Sequence, residues 1–255
     1  MSNVRSVNYT TENLYAQACA WAKKLQLPLD NKPLPRLELS PLGLALCMPH
    51  CSPMRVDFEA VVSQRCRPGV KKPEILRACK LKPGMRVIDA TAGWGRDAAV
   101  LASSGAEVLM LEREPVLAAL LEDGLQRLSS TQNMPLNIEL RGEDARTYLK
   151  MLSPQTYPDV IYLDPMHPVR DKSAKVKKDL NALQTLLGAD NDALSLLLIA
   201  RTRARERVVV KWPARLPALL KADHAVEGKT VRFDVYMTRS YLHENRDTKP
   251  TGVWG

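Results

Sequence analysis

The stretch Val87 to Arg113, VIDATAGWGRDAAVLASSGAEVLMLER, constrains the fold more than any other part of the chain. A short apolar run, Val87 to Ala90, meets a glycine loop. A helical segment over 96–104 follows, and then a second apolar run, Val108 to Leu111, that stops at Glu112. Apolar runs this short and unbroken read as strands buried on both faces, and two such strands joined by a helix make a parallel βαβ unit. The right-handed crossover of that unit places a helix over an open, twisted sheet.

The rest of the chain repeats the alternation. Strands are expected at 137–140, 160–164, 207–211 and 233–237. Helices are expected at 73–80, after Pro115, at 144–152, at 175–187 and 192–204 with a break at Gly188, and at 214–221. Pro115 suits a first helical turn because its missing N–H would have no partner there. The first 70 residues differ in pattern. A helix over 11–26 carries Leu14, Ala18, Trp21 and Leu25 on one face. A proline-rich connection follows, then three expected strands at 37–40, 42–48 and 54–62. The expected organisation is a small α+β subdomain, residues 1–70, packed on an α/β domain, residues 71–255.

Composition narrows the function classes. Of the 255 residues, 45% are hydrophobic and 25% charged, as in a globular protein. No apolar run is long enough to span a bilayer, and the polar N-terminus lacks a signal core, so a cytoplasmic protein with no membrane partner is expected. Five cysteines, an odd number, fit reduced thiols. Cys47, His50 and Cys51 lie close together, but zinc would require a second ligand pair, so no metal is expected. The net charge of +9 favours a polyanionic partner. The cations cluster: Arg65, Arg67, Lys71 and Lys72; then Arg170, Lys172, Lys175, Lys177 and Lys178; then six between Arg201 and Arg215.

In an open α/β sheet, ligands bind beyond the carboxyl ends of the strands. Those ends carry unusual residues here. The first holds Asp89 followed by Gly93 and Gly95, whose lack of a side chain lets backbone approach a ligand. Ala98 stands where the dinucleotide fingerprint has its third glycine, an allowed variant, so NAD stays in view. Glu112 lies about 20 residues beyond the loop, the offset at which an acid meets a ribose diol. NAD and S-adenosylmethionine share that ribose, and the fourth strand separates them. It ends in Asp164-Pro165-Met166-His167-Pro168. A carboxylate there accepts from an exocyclic NH2 and aligns its lone pair with a methyl carbon; a proline-fixed carbonyl takes the second N–H. Hydride transfer has no use for this group.

These residues resemble the class I S-adenosylmethionine-dependent methyltransferases, and within them the family of ribosomal RNA small subunit methyltransferase J, which acts on guanine N2 of 16S rRNA. The resemblance runs through residues 87–125, 160–180, 207–213 and 232–237. It implies a Rossmann-like sheet, mostly parallel with an antiparallel last strand, beside a small N-terminal α+β element. It implies S-adenosylmethionine as cofactor, held by Asp89, Gly93, Gly95, Arg96, Asp97, Glu112, Arg113 and Asp164. Glu143 and Asp144 match a pair near the adenine that is commonly Ser-Ser. Asp164 and Pro165 would orient the guanine amine, with His167 where the family has an aromatic residue; a histidine ring can also stack on a base. The partner implied is 16S rRNA or the small ribosomal subunit, with Arg65, Arg67, Lys71, Lys72, Lys172, Lys175, Lys177 and Lys178 on its phosphates. The rival readings are amino methylation of DNA adenine or a protein glutamine, an NAD(P)-dependent oxidoreductase, and a non-catalytic RNA-binding protein on the same scaffold.

Overall fold

The structure, a computed structural model, describes residues 4–31, 34–66, 69, 71–131, 136–165 and 192–238. The described residues form two compact units. One holds the chain up to Glu59 together with 114–131; the other holds the remainder.

The second unit is built on a seven-stranded sheet. Its strands are β4 (Arg86–Asp89), β5 (Glu107–Leu111), β6 (Ile138–Arg141), β7 (Val160–Leu163), β8 (Arg207–Pro213), β9 (His224–Glu227) and β10 (Val231–Met237). Their order is β6-β5-β4-β7-β8-β10-β9. Neighbours from β6 to β8 are parallel, while β10 runs antiparallel to both β8 and β9. The chain order reverses direction at β4, between β5 and β7, which is the switch point where ligands bind.

Strand period sorts the side chains onto two faces. Ile88, Leu109, Ile161, Leu163, Val208, Val210 and Trp212 belong to one apolar core with helices α6 (Ala145–Met151) and α7 (Ala193–Arg201). The alternate positions, among them Asp89, Tyr162, Val209 and Lys211, face the other way. Helices α3 (Glu74–Cys79) and α4 (Arg96–Ala102) belong to this unit as well, each in contact with sheet strands.

In the first unit β1 (Val7–Tyr9) runs parallel to β2 (Arg36–Ser40), which pairs antiparallel with β3 (Gly43–Cys47). Helices α1 (Tyr15–Leu25) and α5 (Pro115–Thr131) pack beside them. Gly124 brings α5 against Val56 and Phe58: a Cβ there would stand 2.6 Å from Val56 Cγ1. Arg127 reinforces the contact, with Nε donating to Asp123 at 2.9 Å and NH2 to the Val56 carbonyl at 2.6 Å.

Two expected elements differ. The apolar stretch 54–62 is a strand by composition, yet Phe58–Arg65 is a helix, α2, because Phe58 and Val62, one turn apart, are both buried. The helix expected at 214–221 is absent. Trp212 Nε1 donates to the Pro217 carbonyl at 2.7 Å, and Arg232 NH1 donates to the Pro213 and Ala214 carbonyls at 3.1 and 2.9 Å. Those carbonyls are thereby engaged outside any helix, and Pro217 has no N–H to give one. Strands β1 and β9, three and four residues long, carry too little pattern to be anticipated. The expected helix at 175–187 lies outside the described residues.

Candidate active site

The site lies within the second unit, at the carboxyl ends of β4, β5, β7 and β8. The loop after β4 turns through two left-handed glycines, Gly93 at φ 53° and Gly95 at φ 68°. Added side chains would be strained in that conformation. Among the described residues a Cβ on Gly93 would meet only the Thr91 carbonyl, at 3.9 Å, which leaves space beside this loop.

Backbone and side-chain contacts fasten the loop to its neighbours, among them the Ala92 N–H donating to the Leu111 carbonyl at 3.2 Å. The Gly93 N–H donates to Glu112 Oε2 at 2.9 Å, tying it to the end of β5. The Ala90 N–H donates to the Tyr162 carbonyl at 3.0 Å. The Asp164 N–H donates to Thr91 Oγ1 at 2.6 Å. The tip of the fourth strand in the parallel run thus sits against the glycine loop, as the sequence requires for an amine and a cofactor to meet.

Strand register explains the next layer. Asp89 pairs with Tyr162 across β4 and β7, and Tyr162 with Val209 across β7 and β8. Two residues further along, on the same face, come Asp164 and Lys211. Lys211 Nζ donates to Asp164 Oδ2 at 2.6 Å and to Asp97 Oδ2 at 2.8 Å. Asp97, in the first turn of α4, also accepts from the Tyr162 hydroxyl at 2.7 Å and from Arg65 NH1 at 3.1 Å. Asp97, Asp164 and Lys211 thereby form a linked group, with Asp89 buried beneath it.

The electrostatics follow from burial and these partners. Burial pushes the Asp89 carboxyl well above its ordinary range, and the charges of Asp97 and Asp164 add to the effect. Burial also opposes ionisation of Asp97, but Lys211, Tyr162 and Arg65 outweigh it and hold that carboxyl low. For Asp164 burial prevails and the carboxyl is raised in spite of Lys211, with Asp97 adding to the rise. Burial works against charge on Lys211, and the two carboxylates more than reverse it, pushing the ammonium up. The fully buried Tyr162 phenol is raised, first by burial and then by Asp97.

Asp144 is the N-cap of α6: its side chain accepts from the Arg146 N–H at 2.9 Å and the Thr147 N–H at 3.2 Å. It also pairs with the guanidinium of Arg146, and Arg113 NH1 stands 3.7 Å away. Burial opposes its charge, but Arg146 and the Thr147 N–H outweigh that and hold its carboxyl low. Glu143 is partly buried and Arg96 is exposed. Arg65 reaches into the site through Asp97, whereas Lys71 and Lys72 are exposed. Pro165 is buried directly after Asp164. Arg67, His167, Lys172, Lys175, Lys177 and Lys178 lie outside the described residues.

The cations between 201 and 215 divide. Arg203 Nε donates to the Leu149 carbonyl at 3.0 Å and Arg205 NH2 to the Gln155 carbonyl at 2.7 Å, so both serve the fold before β8 begins. Lys211 alone of that cluster enters the described site contacts. The resemblance covers its segment, but neither charge nor composition gives it a role in the site, and the same holds for Tyr162 and Thr91. The available signal was a lysine closing the apolar run Val208–Val210, two positions from an inward-facing valine.

A glycine loop at the switch point, an acid ending the second strand of the parallel run and Asp-Pro ending the fourth define a class I S-adenosylmethionine-dependent methyltransferase. The comparisons agree. Residues 20–238 match the family model of the SAM-dependent methyltransferases. Relatives named ribosomal RNA small subunit methyltransferase J are 44% identical over 237 residues in Legionella pneumophila, covering 93% of this chain and 98% of the relative. In Thioalkalivibrio sulfidiphilus the identity is 45% over 254 residues, covering 93% and 100%. In Coxiella burnetii it is 41% over 256 residues, covering 94% and 99%. The crystal structure of a SAM-dependent methyltransferase from Neisseria gonorrhoeae superposes with a TM-score of 0.70 at 27% identity, covering 94% of this chain and all of that one. The chain belongs to the ribosomal RNA small subunit methyltransferase J family.

Its cofactor is accordingly S-adenosylmethionine, and the residues present suit it. Among the described residues the space at Gly93 admits a ligand close to backbone, and Glu112 ends β5 at the offset where an acid meets a ribose diol. Among the described residues no helix is long and apolar enough to cross a membrane, and no cluster of His, Cys, Asp and Glu is arranged to hold a metal ion.

Proposed function

We propose that this protein transfers a methyl group from S-adenosylmethionine to the exocyclic N2 of a guanosine in 16S rRNA, in the cytoplasm. The observation that carries the reading is the 2.6 Å bond from the Asp164 N–H to Thr91 Oγ1, which seats the Asp-Pro turn against the glycine loop. The relatives' names supply the substrate class.

When bound, the cofactor supplies an electrophilic methyl carbon. Asp89, Gly93, Gly95, Arg96, Asp97, Glu112, Arg113, Glu143 and Asp144 form its surroundings. Asp164 Oδ2 is engaged by Lys211, so Oδ1 accepts from the guanine amine while the Pro165 carbonyl takes the second N–H. The guanine nitrogen held by Asp164 and Pro165 would form a bond to that carbon as the carbon–sulfur bond broke, its electron pair passing to sulfur. The methylated nitrogen would then release a proton to solvent, its acidity making a strong base unnecessary. Catalysis rests on alignment of nitrogen and methyl carbon. We assign the RNA phosphates to Lys71 and Lys72, with Arg67 and the lysines at 172, 175, 177 and 178, and a base-stacking role to His167.

The test is transfer of tritiated methyl to small-subunit particles from a strain lacking the modification, followed by mapping of the product nucleoside. Label in N2-methylguanosine is expected. Label in adenine, in a protein glutamine, or nowhere overturns the reading.

A further inference from the structure

We propose that Lys211 is a positioning residue for methyl transfer, fixing the Asp164 carboxylate by anchoring it to Asp97. The inference rests on the reading of Asp164 as the group that orients the amine. The geometry is specific. One ammonium spans two carboxylates, at 2.6 and 2.8 Å, and its side chain is only 25% exposed. Asp97 is held in turn by Tyr162 from the sheet and Arg65 from α2, so the anchor does not swing. Without Lys211, Asp164 would retain, among the described contacts, its backbone tie to Thr91, and would face Asp97 and Asp89 with only the more distant Arg65 to offset them. A carboxylate aimed by a rigid partner keeps the amine in line; one free to rotate or to take up a proton does not.

A purely structural ion pair would predict lost stability and nothing else. The positioning role predicts more. The charged and titratable groups around Asp164 are Lys211 on β8, Asp97 on α4, Asp89 on β4, Arg65 on α2 and Tyr162 on β7. Replacing Lys211 by a neutral residue raises the pH at which Asp164 ionises. Replacing Asp97 by asparagine lowers it, because a like charge is removed. The acid limb of the activity profile therefore moves up in K211Q and down in D97N.

The experiment uses the full chain, saturating S-adenosylmethionine and small-subunit particles lacking the modification. Rates are followed against pH for wild type, K211Q, K211R, D97N and D164A, with cofactor binding measured by calorimetry. K211Q is expected to lose about a hundredfold in kcat, with KM for the particle and cofactor affinity little changed. K211R is expected to recover a large part of the rate. Wild-type kcat in K211Q, or acid limbs that stay put or move together, overturns the proposal. If K211Q does not fold, the limbs of K211R and D97N decide: an unmoved limb in D97N is sufficient to reject it. Full turnover by D164A instead removes Asp164 itself from the mechanism, whereas an inactive D164A beside an unaffected K211Q removes only Lys211.

Discussion

The Tyr162 hydroxyl donates to Asp97 Oδ2 at 2.7 Å, so a fully buried phenol on the sheet holds a carboxylate on the helix above it. Hydrogen bonds to charged acceptors contribute about 1.5–3 kcal/mol. Tyr162→Phe is therefore expected to lower unfolding free energy by an amount in that range, read from urea denaturation. Asp97 keeps Lys211 and Arg65, so the fold survives. An unchanged midpoint and slope would show that the bond contributes nothing net.

Asp89 gives a second prediction, about pH. Burial raises its carboxyl in the folded state well above the unfolded value. For a raised carboxyl the sign is fixed: the unfolded chain sheds the proton first, so stability falls as pH rises from the ordinary aspartate range to the raised folded value. Asp89→Asn keeps an acceptor for the Thr91 N–H, which lies 3.2 Å from Oδ1, and cannot ionise. Its stability relative to wild type should grow across that window and level off above it. Denaturation at a series of pH values checks this, and a constant difference would contradict it.

Asp164→Ala removes the carboxylate proposed to orient the amine. Methyl transfer should fall by about a hundredfold or more, while the glycine loop, closed by the Gly93 N–H on Glu112, still binds S-adenosylmethionine. Single-turnover rates and calorimetry separate the two quantities. Equal losses in rate and cofactor affinity would place Asp164 in cofactor binding rather than amine orientation.

Asp144 caps α6, and a lost N-cap costs about 0.5–2 kcal/mol. Asp144→Ala should be destabilised by that order, whereas Asp144→Ser retains a capping oxygen and should stay close to wild type. Thermal unfolding distinguishes them.

The parallel core of the fold was legible because its strands are short apolar runs closed by polar residues: Asp89, Glu112 and Asp164 stand out against Val87–Ile88, Val108–Leu111 and Val160–Leu163. Lys211 did not stand out, because it sat in a segment rich in arginine. Only strand period distinguishes it from Arg203 and Arg205, whose guanidiniums bind carbonyls of neighbouring turns. Residues 54–62 misled by composition: Phe58 and the three valines at 56, 61 and 62 suit a strand, and only the four-residue spacing of Phe58 and Val62 marks the helix. The helix expected at 214–221 failed through long-range partners, chiefly Arg232 from β10, that no local window contains.

The alignment of Asp164 with Lys211 is set by the hydrogen-bond ladder between β7 and β8, where Leu163 lies opposite Val210. A strand alternates its faces with every residue, so one residue inserted or deleted between Arg207 and Val210 would turn the ammonium toward α6 and α7 and bring an apolar side chain to the carboxylates. The chemistry of this protein therefore tolerates exchanges of one valine for another β-branched residue along β8, but not any change in the number of residues there.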